Sequence, residues 1–386
     1  MGALPSEMIR DSQVLFASSH ESDPYAALAE ISDQIGDVRL AGAIIFCSHR
    51  YDRDALARAI NRVTEGVRVI GCTSSGEMTS TGYDQDSIAF VGFPADCFHM
   101  AAHCFDELDA FDTRAGSATI RDLAARAEIG SRVLGGRVHH AALFLVDGLS
   151  HREELLTMTV QDALGDIPLI GGSSGDGMQF DETGIFHGGR FHGDAAVVAI
   201  LSSTKKMHVF RSQHYVPGDR KMVVTGAIPA DRVVTELNAE PAAAEYLRLV
   251  GNPGQALDES FFAAHPPMVR AGGEYYVRSI QSVNADGSLT FYCAIDEGIV
   301  LTIGEPVDRL AGISALLDEI TDKVGAIDHV IAFDCVLNRI DAERRQIARA
   351  VSQLYARNHV VGFNTYGEQY HAAHVNQTFS GLAIGQ

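Results

Sequence analysis

Apolar and polar positions follow one another along this chain in an order that occurs three times. An apolar run opens each unit, at Ala43–Phe46, Ala142–Val146 and Val330–Phe333. A stretch with apolar residues at three-to-four spacing comes next: Leu56, Ala59, Ile60 and Val63 in the first unit, Leu156, Val160, Ala163 and Leu164 in the second, Ile340, Ile347, Val351 and Leu354 in the third. A second short apolar run (Val67–Ile70, Ile167–Ile170, His359–Val361) leads into a polar loop, and a further run (Ile88–Phe93, Ala195–Leu201, Leu382–Ile384) closes the unit. Helices show a period of 3.6 and buried strands show as short apolar runs, so each unit predicts strand, helix, strand, Gly loop, strand. The second gap between units is nearly twice the first, too irregular for a solenoid.

The loops themselves are alike. They read Gly71-Cys72-Thr73-Ser74-Ser75-Gly76-Glu77, Gly171-Gly172-Ser173-Ser174-Gly175-Asp176-Gly177 and Gly362-Phe363-Asn364-Thr365-Tyr366-Gly367-Glu368.

Around the units, Asp23-Pro24 opens a helix carrying Tyr25, Leu28, Ile31 and Ile35, and Asp52 caps the next, which must stop by Gly66. A helix is expected over 116–126, and Ser150 with Glu153 reads as a capping box. The second half predicts a helix at 242–250, a hairpin of strands 275–283 and 288–294 about Asn284-Ala285-Asp286-Gly287, a strand at 299–303, and a long helix marked by Leu310, Ile313, Leu317, Ile320 and Val324. The fold class is therefore α/β (α+β): mixed sheets covered by helices, in two related domains. Their expected extents are 41–228 and 229–386, after a lead-in helix within 1–40.

Composition narrows the function classes. The chain has 386 residues with 50 acidic against 30 basic side chains, a net charge of −20, so a polyanion would be repelled and nucleic acid is not an expected partner. Residues 1–11 lack the basic start and apolar core of a secretory signal, and no apolar run approaches the ~20 residues of a membrane span. Six scattered cysteines read as reduced thiols of a cytoplasmic protein.

The run from Cys97 to Cys104 invites a metal reading. As a strand it puts Cys97, His99 and His103 on one face, but its ends lie ~20 Å apart at ~3.3 Å per residue, so a solvent-facing strand is expected instead. Gly171-Gly172-Ser173-Ser174-Gly175 matches G-x-S-x-G, yet no helical pattern follows Ser173, as a nucleophile elbow needs, and a serine hydrolase using Ser173 is a minor alternative. No loop carries the Lys of a phosphate-gripping P-loop. Glycines that admit close approach, with hydroxyls, amides and a carboxylate between or after them, suit a small polar or anionic group; the competing reading is a tight turn whose Asp or Glu satisfies its own backbone. The residues that would bind are Ser173, Ser174, Asp176, Asn364, Thr365, Tyr366 and Glu368. Arg278 interrupts an apolar strand and needs either a protein carboxylate or a ligand anion.

The three loops, Tyr366-Gly367-Glu368 and the closing Asn376-Gln377-Thr378 resemble the FIST sensory family, built of an N-terminal and a C-terminal FIST domain. Within it, segments such as Val146-Asp147-Gly148-Leu149-Ser150, Tyr276-Val277-Arg278-Ser279-Ile280, Phe291–Gly298 and His374-Val375-Asn376 are similar to those of the nitric-oxide-sensing haem proteins of bacteria. His49 departs from the pattern, which has Pro there. The resemblance implies a non-enzymatic sensor of a small ligand, signalling through a separate histidine kinase or a diguanylate cyclase or phosphodiesterase. It adds Asn376 and Thr378 to the expected ligand set. It implies haem b in the narrower group and a metabolite such as an amino acid otherwise. No Cys-x-x-Cys-His is present, so haem would be held by an imidazole, for which His214 and His374 are the candidates.

Overall fold

The computed structural model describes residues 13–251 and 255–386. The 1–11 stretch read above as lacking a signal lies outside the described residues.

The first unit runs β1 (Leu15–Ser19), α1 (Pro24–Ile35), β2 (Leu40–Ser48), α2 (Arg53–Val63), β3 (Val69–Ser74), β4 (Glu77–Thr79), β5 (Gly82–Asp84) and β6 (Ile88–Pro94). The second repeats it as β7 (Phe98–Asp106), α3 (Thr113–Ser131), β8 (His139–Val146), α4 (Glu153–Leu164), β9 (Leu169–Ser173), β10 (Ile185–His187), β11 (Arg190–His192) and β12 (Ala195–Ser203). The third begins with β13 (Met207–Gln213) and is then interrupted. The interruption contains β14 (Tyr215–Ile228), β15 (Val233–Leu237), β16 (Glu240–Pro241), α5 (Ala242–Val250), α6 (Glu259–Ala264), β17 (Pro267–Ala271), β18 (Glu274–Val277), β19 (Ile280–Val283), β20 (Leu289–Phe291) and β21 (Val300–Pro306). The unit then resumes with α7 (Arg309–Val324), β22 (Ile327–Cys335), α8 (Val336–Arg344), α9 (Ala348–Arg357), β23 (Val360–Thr365), β24 (Glu368–Tyr370), β25 (Ala373–Val375) and β26 (Thr378–Gly385).

Each unit builds a six-stranded mixed sheet but completes it with a hairpin from another. The orders are β1-β6-β2-β3-β10-β11, β25-β24-β9-β8-β12-β7 and β13-β26-β22-β23-β4-β5. The hairpin after the glycine strand of unit one thus joins unit three, that of unit three joins unit two, and that of unit two joins unit one. This cyclic exchange interlocks the three units. The division expected at residues 228 and 229 falls at the end of β14, inside the inserted eight-stranded sheet, and β4–β5 share a sheet with β22, β23 and β26.

Inner faces of all three sheets meet in one core that includes Ile44, Phe46, Leu143, Leu145, Ile331, Phe333 and Phe363. Their outer faces are covered by the helices in three separate clusters, and the inserted sheet wraps its own core around Tyr246, Phe261 and Phe262. The cover explains the sequence pattern: strands buried on both faces read as continuous apolar runs rather than as alternation.

Several local expectations need correction. The Ser150–Glu153 capping box does not form: α4 starts at Glu153 with Arg152 at the cap and no side-chain cap bond, while Ser150 donates to the Asp147 carbonyl at 2.7 Å. The helix expected over 116–126 spans 113–131, capped by Asp112. The 275–283 strand is broken at Arg278-Ser279, because β18 pairs with β17 whereas β19 pairs with β20. The strand from Phe98 is an edge strand, as its half-exposed His99 and His103 suggest, but Phe98 and Met100 turn into the central core.

Candidate functional site

The first glycine of each loop is not in a loop at all. Gly71, Gly171 and Gly362 lie within β3, β9 and β23 and face Ile45, Phe144 and Ala332 of the parallel neighbour in the same register. A Cβ on these glycines would come within 2.3, 1.8 and 1.9 Å of those residues' carbonyl oxygens, so only glycine lets the strands approach.

Beyond them the three segments meet. The Ser75 N–H donates to the Asn364 carbonyl at 3.1 Å, the Tyr366 N–H to Ser173 at 3.2 Å, and the Gly175 N–H to Thr73 at 3.2 Å, closing a ring from one unit to the next. Ser173, Ser174, Asn364, Thr365, Tyr366, Glu368, Asn376 and Thr378 are thereby brought together, and all are buried.

Most of them satisfy one another. Glu368 accepts from the Thr365 hydroxyl and from the Thr378 N–H at 3.0 Å and hydroxyl at 2.6 Å. Glu77 holds the equivalent place, accepting from the Ser74 hydroxyl and from the Ser87 N–H at 3.2 Å and hydroxyl at 2.9 Å. Burial pushes the Glu77 carboxyl up to about 7 and that of Glu368 up to about 8, against the hydrogen bonds that favour their charged forms. Neither accepts from the backbone of its own turn: hydroxyls and an N–H ten residues further on satisfy them. Asp176 instead bonds the backbone that follows it: it gathers the N–H groups of Phe180, Asp181 and Glu182 at 2.7–2.9 Å and the Tyr366 hydroxyl, pinning the chain between β9 and β10. Ser174 accepts from the Gly148 N–H at 3.3 Å, and Asn364 bridges Arg339 and the Asp334 carbonyl.

One corner is left unsatisfied. Gln369 Nε2 lies 2.9 Å from Ser173 Oγ and 3.1 Å from His374 Nδ1, while Gln369 Oε1, His374 Nε2 and Asn376 Nδ2 are buried without a partner. The last two are close together, since a Cβ on Gly367 would lie 2.9 Å from His374 Nε2 and 3.0 Å from Asn376 Nδ2. Burial lowers the pKa of His374, so its imidazole is neutral at neutral pH. With Nδ1 accepting from Gln369, the proton sits on Nε2. Arg278 adjoins this corner, its Nη1 3.5 Å from the His374 carbonyl, and Asn376 Oδ1 accepts from the Ser279 N–H at 3.3 Å. Among the described residues no carboxylate comes within 4 Å of Arg278, so the protein acid weighed as its partner is not there. The Arg278 side chain is half-buried. Orphaned buried polar atoms are rare in folded proteins, and two donors so close, His374 Nε2 and Asn376 Nδ2, mark a place for an acceptor.

An open cavity of about 300 Å³ is lined among others by His49, Ser75, Gly76, Gln179 and Arg339. The rings of Phe180, Tyr292 and Tyr366 pack against one another, with centroids 4.8–5.8 Å apart, beside Met178 and Val336 of its lining. The sequence pointed towards this cavity through the first loop, whose Ser74–Glu77 line it, and through the departure at His49.

His214 does not join the site. Its side chain is buried beside Gly312, Arg309 and Arg345, where burial holds its pKa well below the usual value. Its Nε2, like that of His374, has no partner and is sealed by protein. Each imidazole thus has a free nitrogen, but a porphyrin would have to part the packing around it. Ser173 ends a strand rather than opening a helix, and its hydroxyl meets an amide, so the nucleophile elbow is absent.

The loop chemistry and the strand exchange cover nearly the whole chain, and so do the family comparisons: the FIST N domain model matches residues 43–240 and the FIST C domain model residues 242–371. The chain belongs to the FIST family. The seam between the two matched regions falls inside the inserted sheet, so the FIST N region takes in β13 to β15 and the FIST C region the rest of the insertion and the third unit up to β24. An uncharacterized protein of Methanocaldococcus jannaschii is 24% identical over 320 residues, covering 75% of this chain. The match spans 59% of that relative's own length. Among the described residues no helix is long and apolar enough to cross a membrane.

Proposed function

We propose that this FIST-family chain is a non-enzymatic sensor whose ligand is a small carboxylate, such as an amino acid, bound where the second and third units meet the inserted sheet. The observation that carries this reading is a convergence of donors. His374 Nε2–H, Asn376 Nδ2 and the Arg278 guanidinium border one corner with no protein acceptor for the first two and no carboxylate for the third. A carboxylate supplies two acceptor oxygens and a matching charge, and a charge-assisted bond to Arg is about twice as strong as a neutral one. Gln369 Oε1 remains to accept from an ammonium group, which favours an amino acid over a simple anion. Binding would tie β25 to the β18–β19 break. The altered surface would be read by a separate histidine kinase or cyclic-di-GMP enzyme.

The test is calorimetric titration of the purified chain with amino acids and small carboxylates, alongside Arg278→Ala and Asn376→Ala. A ligand that binds the parent and loses at least about tenfold in affinity in both variants supports the site. Absence of binding across the panel, or affinity indifferent to both variants, sinks it.

Haem is the second reading, favoured by the unpartnered Nε2 atoms of His214 and His374. For His374 to ligate iron, the Gln369 amide would have to turn so that Nδ1 carries the proton. Haem reconstitution followed by ferric and nitrosyl spectra of the parent, His214→Ala and His374→Ala decides it; no Soret band in the reconstituted parent removes haem and nitric oxide together.

A further inference from the structure

Strands β7 and β11 are the edges of two different sheets, and they come together at Cys104, Asp106 and His192. Cys104 and Asp106 are two apart on β7 and share a face. His192 is delivered by the chain itself: β11 ends at His192, and three residues later Ala195 pairs with Asp106. One ligand-capable atom from each of the three lies within 4.8 Å of the other two.

We infer that Cys104, Asp106 and His192 form a binding site for a divalent transition metal, zinc first among them. The donor set is a thiolate, a carboxylate and an imidazole nitrogen, which suits zinc better than magnesium or calcium, whose ligands are oxygens. Ligand atoms around tetrahedral zinc sit ~3.4 Å apart at bond lengths of ~2.0–2.3 Å, so shifts of about an ångström complete the shell. Three protein ligands leave a fourth position for water. Asp106 is half-exposed, which gives an ion a path in.

The surroundings of His192 provide both states. Without metal, Arg190 Nε donates to His192 Nε2 at 3.3 Å and Nδ1–H faces Asp106 at 2.6 Å. With metal, Nε2–H donates instead to the His187 carbonyl, already 3.1 Å away, and the Nδ1 lone pair turns to the ion. A carbonyl behind the ring is the usual device that fixes a ligating imidazole. Coordination releases the Cys104 proton to solvent. Cys97, His99 and His103, the side chains singled out in the neighbouring run, are not part of the set. The site is independent of the carboxylate site.

Cobalt titration of the full chain tests this. The expected result is one cobalt per chain with a thiolate charge-transfer band, displaced by zinc, absent in Cys104→Ser. Zinc affinity should fall about 100-fold in His192→Ala. A measurement on the unmodified chain guards against misfolded variants: Cys104 is the one cysteine of six that is not buried, so zinc should protect it from alkylation, read by mass spectrometry. No saturable cobalt binding, a charge-transfer band that survives Cys104→Ser, or alkylation of Cys104 unaffected by zinc overturns the inference.

Discussion

Arg232, just beyond β14, reaches Glu153 in the first turn of α4, Nη2 to Oε2 at 2.6 Å, with both side chains buried. The same guanidinium holds Glu154 at 2.7 Å and the Tyr292 carbonyl at 2.6 Å, and Glu154 accepts from the Ala294 N–H at 2.6 Å. This network fastens the inserted sheet to the second unit. Removing one partner strands a buried charge, so Arg232→Met should cost roughly 3–5 kcal/mol, measured by urea unfolding, whereas Arg232→Met with Glu153→Leu and Glu154→Leu should recover much of the loss.

Acid should attack the same network. Burial opposes ionisation of Glu154, yet His374 once protonated in acid, together with Arg232 and the backbone N–H of Ala294, holds its carboxyl down at about 2. A depressed folded pKa gives stability that is present above about 4.5 and lost as pH falls towards 2. Glu154→Gln should flatten the melting temperature against pH in that window; an unchanged slope would count against the charge network.

Glu77 and Glu368 act in the opposite sense. Their folded values of about 7 and about 8 lie above the usual carboxyl range, so the folded state binds protons the unfolded chain has released. Stability should therefore fall as pH rises from about 4.5 to 8, at about 1.4 kcal/mol per pH unit for each group while its folded form alone is protonated. A protonated Glu77 can donate to Ser74 Oγ, whose own hydroxyl then donates to the Cys47 carbonyl at 3.1 Å. Glu77→Gln and Glu368→Gln keep a donor in place, and each should remove its share of the slope without unfolding the protein.

The strand glycines predict a steric penalty. Gly171→Ala drives a Cβ into the Phe144 carbonyl and should cost about 3 kcal/mol or more, while Gly193→Ala, which would meet nothing within 4 Å, should change stability by less than about 0.5 kcal/mol. Thermal unfolding of the two variants side by side measures the difference.

Much of this architecture was legible in residue patterns. Helix starts at Asp23 and Asp52 and the paired strands of each unit follow from capping chemistry and apolar periodicity, which act within a few residues. The three-unit repeat was visible because each unit solves the same packing problem, down to a glycine opposite a carbonyl. Short strands such as β4, β10 and β24 were not legible, since three residues carry no period, and their partners lie in other units. Nor was the break at Arg278, because an apolar run on either side of a bend looks like one strand.

By itself, then, the sequence determined local structure, the repeat, family membership and the stock of polar residues in the loops, because each depends on short-range physics or on the order of residues. Tertiary structure alone decided which of those polar residues are spoken for. Glu368 and His374 look equally available in the sequence, six positions apart. The fold gives Glu368 three donors from Thr365 and Thr378, while it leaves His374 Nε2 facing Asn376 with nothing to receive either donor. Hydrogen-bond satisfaction is a property of the whole packed environment, set here by hairpins exchanged between units and by a sheet inserted into the third, and no local pattern encodes it.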